Sequence, residues 1–188
     1  DHQHGLWVTP EPMLTEVMQP FWDAGIGIRI HSNGDAAQTA TLNAITTVKA
    51  TNTTAPTRFV IEHAGLVLPQ QIERIQALGG GVSAASHYVY YMSDDYQTSL
   101  GERTDAITPL ASLKRAGIPT TLHSDAPLAP PSPLVAAAVH TTRETRADNI
   151  SNADEALSPY EALQAITIDA AWALGKEREI GSIEVGKR

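Results

Sequence analysis

Two histidines and an aspartate in this 188-residue chain each follow a short apolar run, at regular intervals. Ile26 to Ile30 leads into His31, Arg58 to Ile61 leads through Glu62 into His63, and Ile118 to Leu122 leads through His123 and Ser124 into Asp125. The steps are 32 and 62 positions. A closed α/β barrel of roughly 250 residues in eight units repeats every ~31 residues, so these are steps of one unit and two. Side chains at the carboxyl ends of successive parallel strands converge on one mouth. Two imidazoles and a carboxylate at that mouth form a donor set for a divalent ion such as Zn²⁺, with a position open for water. Such an ion activates the water and polarises a carbonyl oxygen, while Asp125 beside it is placed to take the proton and return it to a leaving nitrogen. Hydrolysis of an amide, formamide or cyclic amide is the chemistry this points to.

The positioning elements are legible around these residues. Thr9-Pro10 reads as the start of a helix carrying Leu14, Val17, Met18 and Phe21, closed by Gly25, with Pro20 expected to kink it. A strand from Ile26 to Ile30 follows, then a helix over Asp35 to Ala50, a polar loop, and a strand from Arg58 to Ile61. Pro69 opens a helix that buries Ile72 and Ile75 and stops at Gly79-Gly80-Gly81, before a strand over Gly81 to Ala85. A long polar and aromatic loop is expected from His87 to Ala106. Thr108-Pro109 then caps a helix ending at Gly117, and a strand runs from Ile118 to Leu122. Ser132-Pro133 opens a helix to about Arg146, and Ser158-Pro-Tyr-Glu161 is a capping box for a last helix reaching Gly175. The alternation predicts a parallel α/β sheet. Four strands are half of a closed eight-stranded barrel, and an open four-stranded sheet has two unpaired edges.

Composition excludes several classes. Net charge is 13 minus 21, or −8, with no cluster of basic residues, so neither nucleic acid nor an anionic membrane is an expected partner. There are no cysteines, which removes disulfide and thiolate chemistry and fits either redox compartment. No apolar stretch approaches 18 residues. The opening Asp1-His-Gln-His-Gly5 has neither an initiator Met nor a signal-peptide pattern, which reads as a start inside a longer protein, with a cytoplasmic location as the working expectation.

The strings Ile30-His-Ser-Asn-Gly-Asp-Ala36, Ile61-Glu-His-Ala64, Leu122-His-Ser-Asp-Ala-Pro127 and Glu179-Ile-Gly-Ser-Ile-Glu-Val-Gly-Lys187, in that order, resemble the amidohydrolase superfamily. The similarity is greatest to its amidohydrolase 3 group of TIM-barrel metal hydrolases, relatives of formamide deformylases and of proteins labelled exoenzyme regulators. It runs essentially end to end. The resemblance implies that His31 and His63 end the fifth and sixth barrel strands as metal ligands, and that Asp125 ends the eighth as ligand and proton shuttle. It further implies that residues 1–175 are the C-terminal half of a (β/α)8 barrel, and that 176–188 begin the return segment to a small β-sandwich. The family's His-x-His pair at the first strand and bridging lysine or glutamate at the fourth have no counterpart here. His2-Gln-His4 imitates the first, without an apolar strand before it.

Other residues have weaker claims. His123 stands two positions before Asp125, on the same side of the strand, either bonded to a ligand or as polar filler. Asp35 and Asn33 lie at a helix start, where capping competes with a bond to His31. Glu62 should point away from His63 by strand alternation and serve structure. Tyr88, Tyr90 and Tyr91 line a substrate pocket or cover the barrel top, and Arg103 and Arg143 are candidate anion or carbonyl partners, set against the solvated role usual for lone arginines. The expected cofactor is a divalent metal, zinc foremost, with one or two ions in the whole protein and with iron and manganese compatible with the same donors. The expected substrate is a small amide-type molecule, and the expected macromolecular partner is a second copy or the remainder of a parent chain. Three functions fit: a metal-dependent hydrolase of non-peptide C–N bonds, a non-catalytic regulatory or interaction module of the same fold, and a decarboxylase or isomerase on the same barrel.

Overall fold

The computed structural model describes residues 7–55 and 57–188. His2-Gln-His4 lies outside the described residues. Four strands, β1 (Ile28–Ser32), β2 (Phe59–His63), β3 (Gly81–Ala85) and β4 (Thr120–His123), form one sheet in that order, every neighbouring pair parallel. Helix α1 (Glu11–Asp23) precedes β1. The crossovers carry α2 (Asp35–Thr51), α3 (Pro69–Leu78) and, between β3 and β4, α4 (His87–Tyr90), α5 (Ser93–Leu100) and α6 (Leu110–Arg115). After β4 come α7 (Pro133–Thr142), α8 (Pro159–Ile166) and α9 (Ile168–Ala173). This is an α/β fold consistent with part of a TIM-like barrel.

Register sorts the strand residues into rows across the sheet. Ile30, Ile61, Val82 and Thr120 are aligned, and the next row up is His31, Glu62, Ser83 and Thr121. The first row faces the helices: Ile30, Ile61 and Val82 are buried with Leu42, Ile45 and Ile75 from α2 and α3. The second therefore faces the opposite side, where the interior of a closed barrel would be. Polar types on alternate positions of a buried parallel strand are costly for packing alone, and all four of these fall on that face.

The helix ends follow their sequence signals closely. Gly79, at φ 72°, caps α3 in the left-handed conformation, and the Ser158/Glu161 capping box opens α8. Three expectations are corrected. The segment 87–106 is not a loop but α4, α5 and a 3₁₀ segment. Helix α7 stops at Thr142 rather than near Arg146, because Arg143 takes φ 58° and turns its guanidinium inward. The last helix breaks at Thr167 into α8 and α9. Residues 174–188 form turns and bends, with Ile183 and Val185 fully exposed. A strand needs a partner, and this segment pairs with none among the described residues.

Candidate metal centre and active site

The carboxyl ends of the strands gather an imidazole cluster. The rings of His31 and His63 lie 4.4 Å apart, and those of His63 and His123 lie 5.0 Å apart. His123 Nε2 is 3.2 Å from His63 Nδ1, and Asp125 Oδ2 is 3.7 Å from the same His63 nitrogen. On its other side, His123 Nδ1 is 2.8 Å from Ser83 Oγ and 3.8 Å from Glu62 Oε2. Glu62 in turn accepts a 2.5 Å bond from Arg29 Nε.

Backbone geometry explains how His63 joins this group. Strand alternation would place it with Ile61, facing the helices. Instead His63 adopts φ 74° and Ala64 φ 48°, so the chain swings off the strand just as the ring is reached. Asp125 also has a positive φ, 51°. Left-handed conformations at non-glycine residues each cost on the order of 1–3 kcal/mol, and here two fall on candidate ligands. Gly65 completes the turn: a Cβ there would come within 1.9 Å of Asn33 Oδ1, and Leu66 N–H donates to Asn33 O at 2.8 Å. Asn33 therefore braces the loop behind His63.

Burial shapes the electrostatics. It lowers the pKa of His63, with help from His31, against the opposing carboxylates of Asp125 and Glu62. It takes His123 down to about 4, Glu62 opposing. Both rings are thus neutral at pH 7, the form that offers a lone pair. The phenol of Tyr88 is pushed up to about 12, by burial first and then by Tyr96 and Asp125. Its ring meets His63 edge-on at 6.3 Å.

The sequence-derived candidates divide. His31, His63, His123, Asp125 and Tyr88 come together. Asp35 is not a cap: Gly34 is the N-cap residue of α2, and Asp35 in the first turn accepts a 2.7 Å bond from Arg103. Arg103 and Asp35 thus hold each other. Tyr91 is partly exposed, with its ring against Tyr90 at 4.8 Å. Arg143 is neither solvated nor at the mouth's surface. It is fully buried and donates to the carbonyls of Ser151, Thr108 and Ile107.

Two residues escaped the sequence reading. Glu62 is not turned away from the site: it keeps regular alternation onto the barrel-interior face, and His63 is the residue that breaks it. His87 opens α4 two positions beyond β3, is buried, and has an Nδ1 without a hydrogen-bond partner. Burial lowers its pKa, opposed by the nearby Asp125 carboxylate. Its position just past a strand end was the available signal, although its 24-residue step from His63 breaks the one-unit interval.

The donor set suits a divalent ion in kind: neutral imidazoles and a carboxylate, with an unsatisfied imidazole nitrogen nearby. Among the described residues no three His, Cys, Asp or Glu side chains are arranged as a finished ligand cluster. Three of the gathered side chains, His31, His63 and Asp125, are of types that bind divalent ions.

Known proteins share both sequence and architecture with this chain. An N-substituted formamide deformylase from Arthrobacter pascens is 32% identical over 166 residues, which cover 87% of this chain and 30% of that protein. Protein LONG AFTER FAR-RED 3 from Arabidopsis thaliana is 29% identical over 189 residues, covering 99% of this chain and 32% of the relative. The structure of an uncharacterized metal-dependent hydrolase from Pyrococcus furiosus superimposes with a TM-score of 0.82 at 25% identity, over 99% of this chain and 37% of that one. The chain spans about a third of the length of these relatives. The model of the amidohydrolase family matches residues 6–188, and the chain belongs to that family.

Proposed function

We propose that this chain supplies the C-terminal half of the catalytic barrel of a metal-dependent hydrolase acting on small substrates with non-peptide C–N bonds of the amide or formamide type. The observation that carries the reading is the meeting of His31, His63 and Asp125 at the carboxyl ends of parallel strands, where His63 and Asp125 both hold left-handed backbone. The similarity to a formamide deformylase supports the substrate class. In this reading residues 1–175 belong to the barrel and 176–188 begin a return segment to a second domain.

In this proposal His31, His63 and Asp125 would hold a divalent ion, zinc foremost, which when bound would supply an activated water and an electrophile for the carbonyl oxygen. The chain's own residues do the rest. His63 presents a neutral ring, and Asp125, 3.7 Å from His63 Nδ1, takes a proton from the attacking water and returns it to the departing nitrogen. Tyr88 stays protonated and offers a hydroxyl beside the cluster.

A non-catalytic module of the same fold is the second reading, favoured by the lack of a finished three-residue ligand cluster among the described residues. Turnover of an N-substituted formamide by the full-length protein separates the two. Asp125→Asn, which keeps the size of the side chain but removes its charge and its capacity to take a proton, should lower the rate by about 10²–10⁴-fold, the usual contribution of general acid–base catalysis. Near-normal turnover in Asp125→Asn would remove that residue from the mechanism, and no turnover by the unmodified protein with any small amide would favour the module.

A further inference from the structure

We propose that Ser83 and Glu62, acting through His123, set the ring tautomer of His63 and thereby decide which of its nitrogens is free to bind a metal ion. The proposal rests on the reading of His63 as a ligand and adds three positioning residues to it.

Proton counting limits the two rings to two states. A neutral imidazole has one N–H and one lone pair on its two nitrogens. The 3.2 Å contact between His123 Nε2 and His63 Nδ1 holds one proton, so one ring donates and the other accepts. If His123 donates, His63 accepts at Nδ1, carries its own proton on Nε2, and has no lone pair left for a cation. If His63 donates from Nδ1, its Nε2 lone pair is free.

The surroundings of the two Nδ1 atoms choose between these states. His123 Nδ1 faces Ser83 Oγ at 2.8 Å and Glu62 Oε2 at 3.8 Å. A hydroxyl either donates or accepts, but a carboxylate only accepts, and its charge favours a proton on the nearer nitrogen. The pair therefore favours His123 protonated at Nδ1, with Ser83 accepting. His123 Nε2 then accepts from His63 Nδ1–H. Asp125 Oδ2, 3.7 Å from His63 Nδ1, favours the same proton from its own side. Glu62 is itself fixed by the 2.5 Å bond from Arg29, and it is in register with Ser83 across the β2–β3 ladder. Two carboxylates, one beside each Nδ1, thus select a single proton pattern. That pattern frees His63 Nε2.

Metal-binding histidines are ordinarily oriented by such partners, and losing one lowers metal affinity about 10–100-fold. The test is nitrogen-15 NMR of the histidine-labelled protein, which distinguishes protonated from unprotonated ring nitrogens, combined with a Zn²⁺ titration. The expected result is His63 protonated at Nδ1 and bare at Nε2 before metal is added. Ser83→Ala should convert both rings to tautomer mixtures and weaken Zn²⁺ binding about 10–100-fold, with Ser83→Thr restoring both. Glu62→Gln should shift the tautomers in the same direction and serves as the second variant if Ser83→Ala does not fold. A purely structural role for Ser83 would leave the tautomers unmoved. His63 protonated at Nε2 in the unsubstituted protein, or unchanged tautomers and affinity in a folded Ser83→Ala protein, would overturn the proposal. Tautomers that respond as expected while Zn²⁺ leaves the His63 signals unmoved would uphold the relay and overturn the ligand assignment instead.

Discussion

Arg143 and the histidines at the strand ends are buried polar groups treated in opposite ways. Arg143, at the end of α7, donates to Ser151 O at 2.7 Å, to Thr108 O and Oγ1 at 3.0 and 3.3 Å, and to Ile107 O at 3.1 Å. Burial pulls its pKa down to about 10, Glu155 opposing, yet it remains charged at pH 7 with its donors used. Its φ of 58° is accepted in exchange for that arrangement. The histidine cluster contains strained backbone too, at His63 and Asp125, but its hydrogen bonding is incomplete. His87 Nδ1 has no partner, and His63 Nδ1 is shared between a neighbouring ring and a carboxylate. Strain with satisfied polar groups locks a fold together, whereas strain with unsatisfied ones marks a place that something else completes.

The contrast breaks if the two regions respond alike. Arg143→Leu should be the most destabilising change, by roughly 3–5 kcal/mol in urea unfolding, because it strands several buried carbonyls at once. Zn²⁺ affinity in the surviving folded fraction should be unaltered. A loss below about 1 kcal/mol would mean that the loops around Thr108 and Ser151 rearrange freely and that Arg143 is no lock.

Acid should act through buried histidines. His140, on α7, is fully buried with both ring nitrogens unpartnered, and burial, then Arg143 and His123, hold its pKa well below the usual value. The unfolded chain takes up a proton near pH 6.5 that the folded chain refuses. Stability from this group is therefore complete above pH 6.5 and falls as pH drops below it, by up to about 1.4 kcal/mol for each pH unit. Urea midpoints between pH 7.5 and 5.5 should show the fall, and His140→Leu should make it shallower, leaving the share that the buried His63, His87 and His123 carry in the same direction. Equal slopes in both proteins would assign the pH dependence elsewhere.

The smallest effect is expected at Arg103, whose 2.7 Å bond to Asp35 joins partly exposed side chains. Arg103→Ala should cost under about 1 kcal/mol, reduced further by salt. A large, salt-insensitive loss would move this pair from the surface into the fold's supporting structure.

Regular elements were legible where local signals act alone. The Pro69 start and Gly79 stop of α3, the Ser158/Glu161 cap, and the β3 boundaries match the sequence reading because propensity and capping chemistry suffice there. The meeting of His31, His63 and Asp125 was legible because barrel geometry turns a chain interval into a spatial neighbourhood. Glu62 and Arg143 were not. Strand alternation assumes β-region backbone, and the φ of 74° at His63 cancels that assumption at the residue that matters. Arg143 looked solvated because its acceptors, at Ile107, Thr108 and Ser151, are distant or irregular backbone with no sequence signature.

Zinc binding tests the central assignment most directly. Elemental analysis of the purified protein, with and without added Zn²⁺, should show bound metal that falls sharply in His31→Ala and in His63→Ala while persisting in Arg103→Ala. Metal retained unchanged in both histidine variants would contradict the placement of the ion at the strand ends.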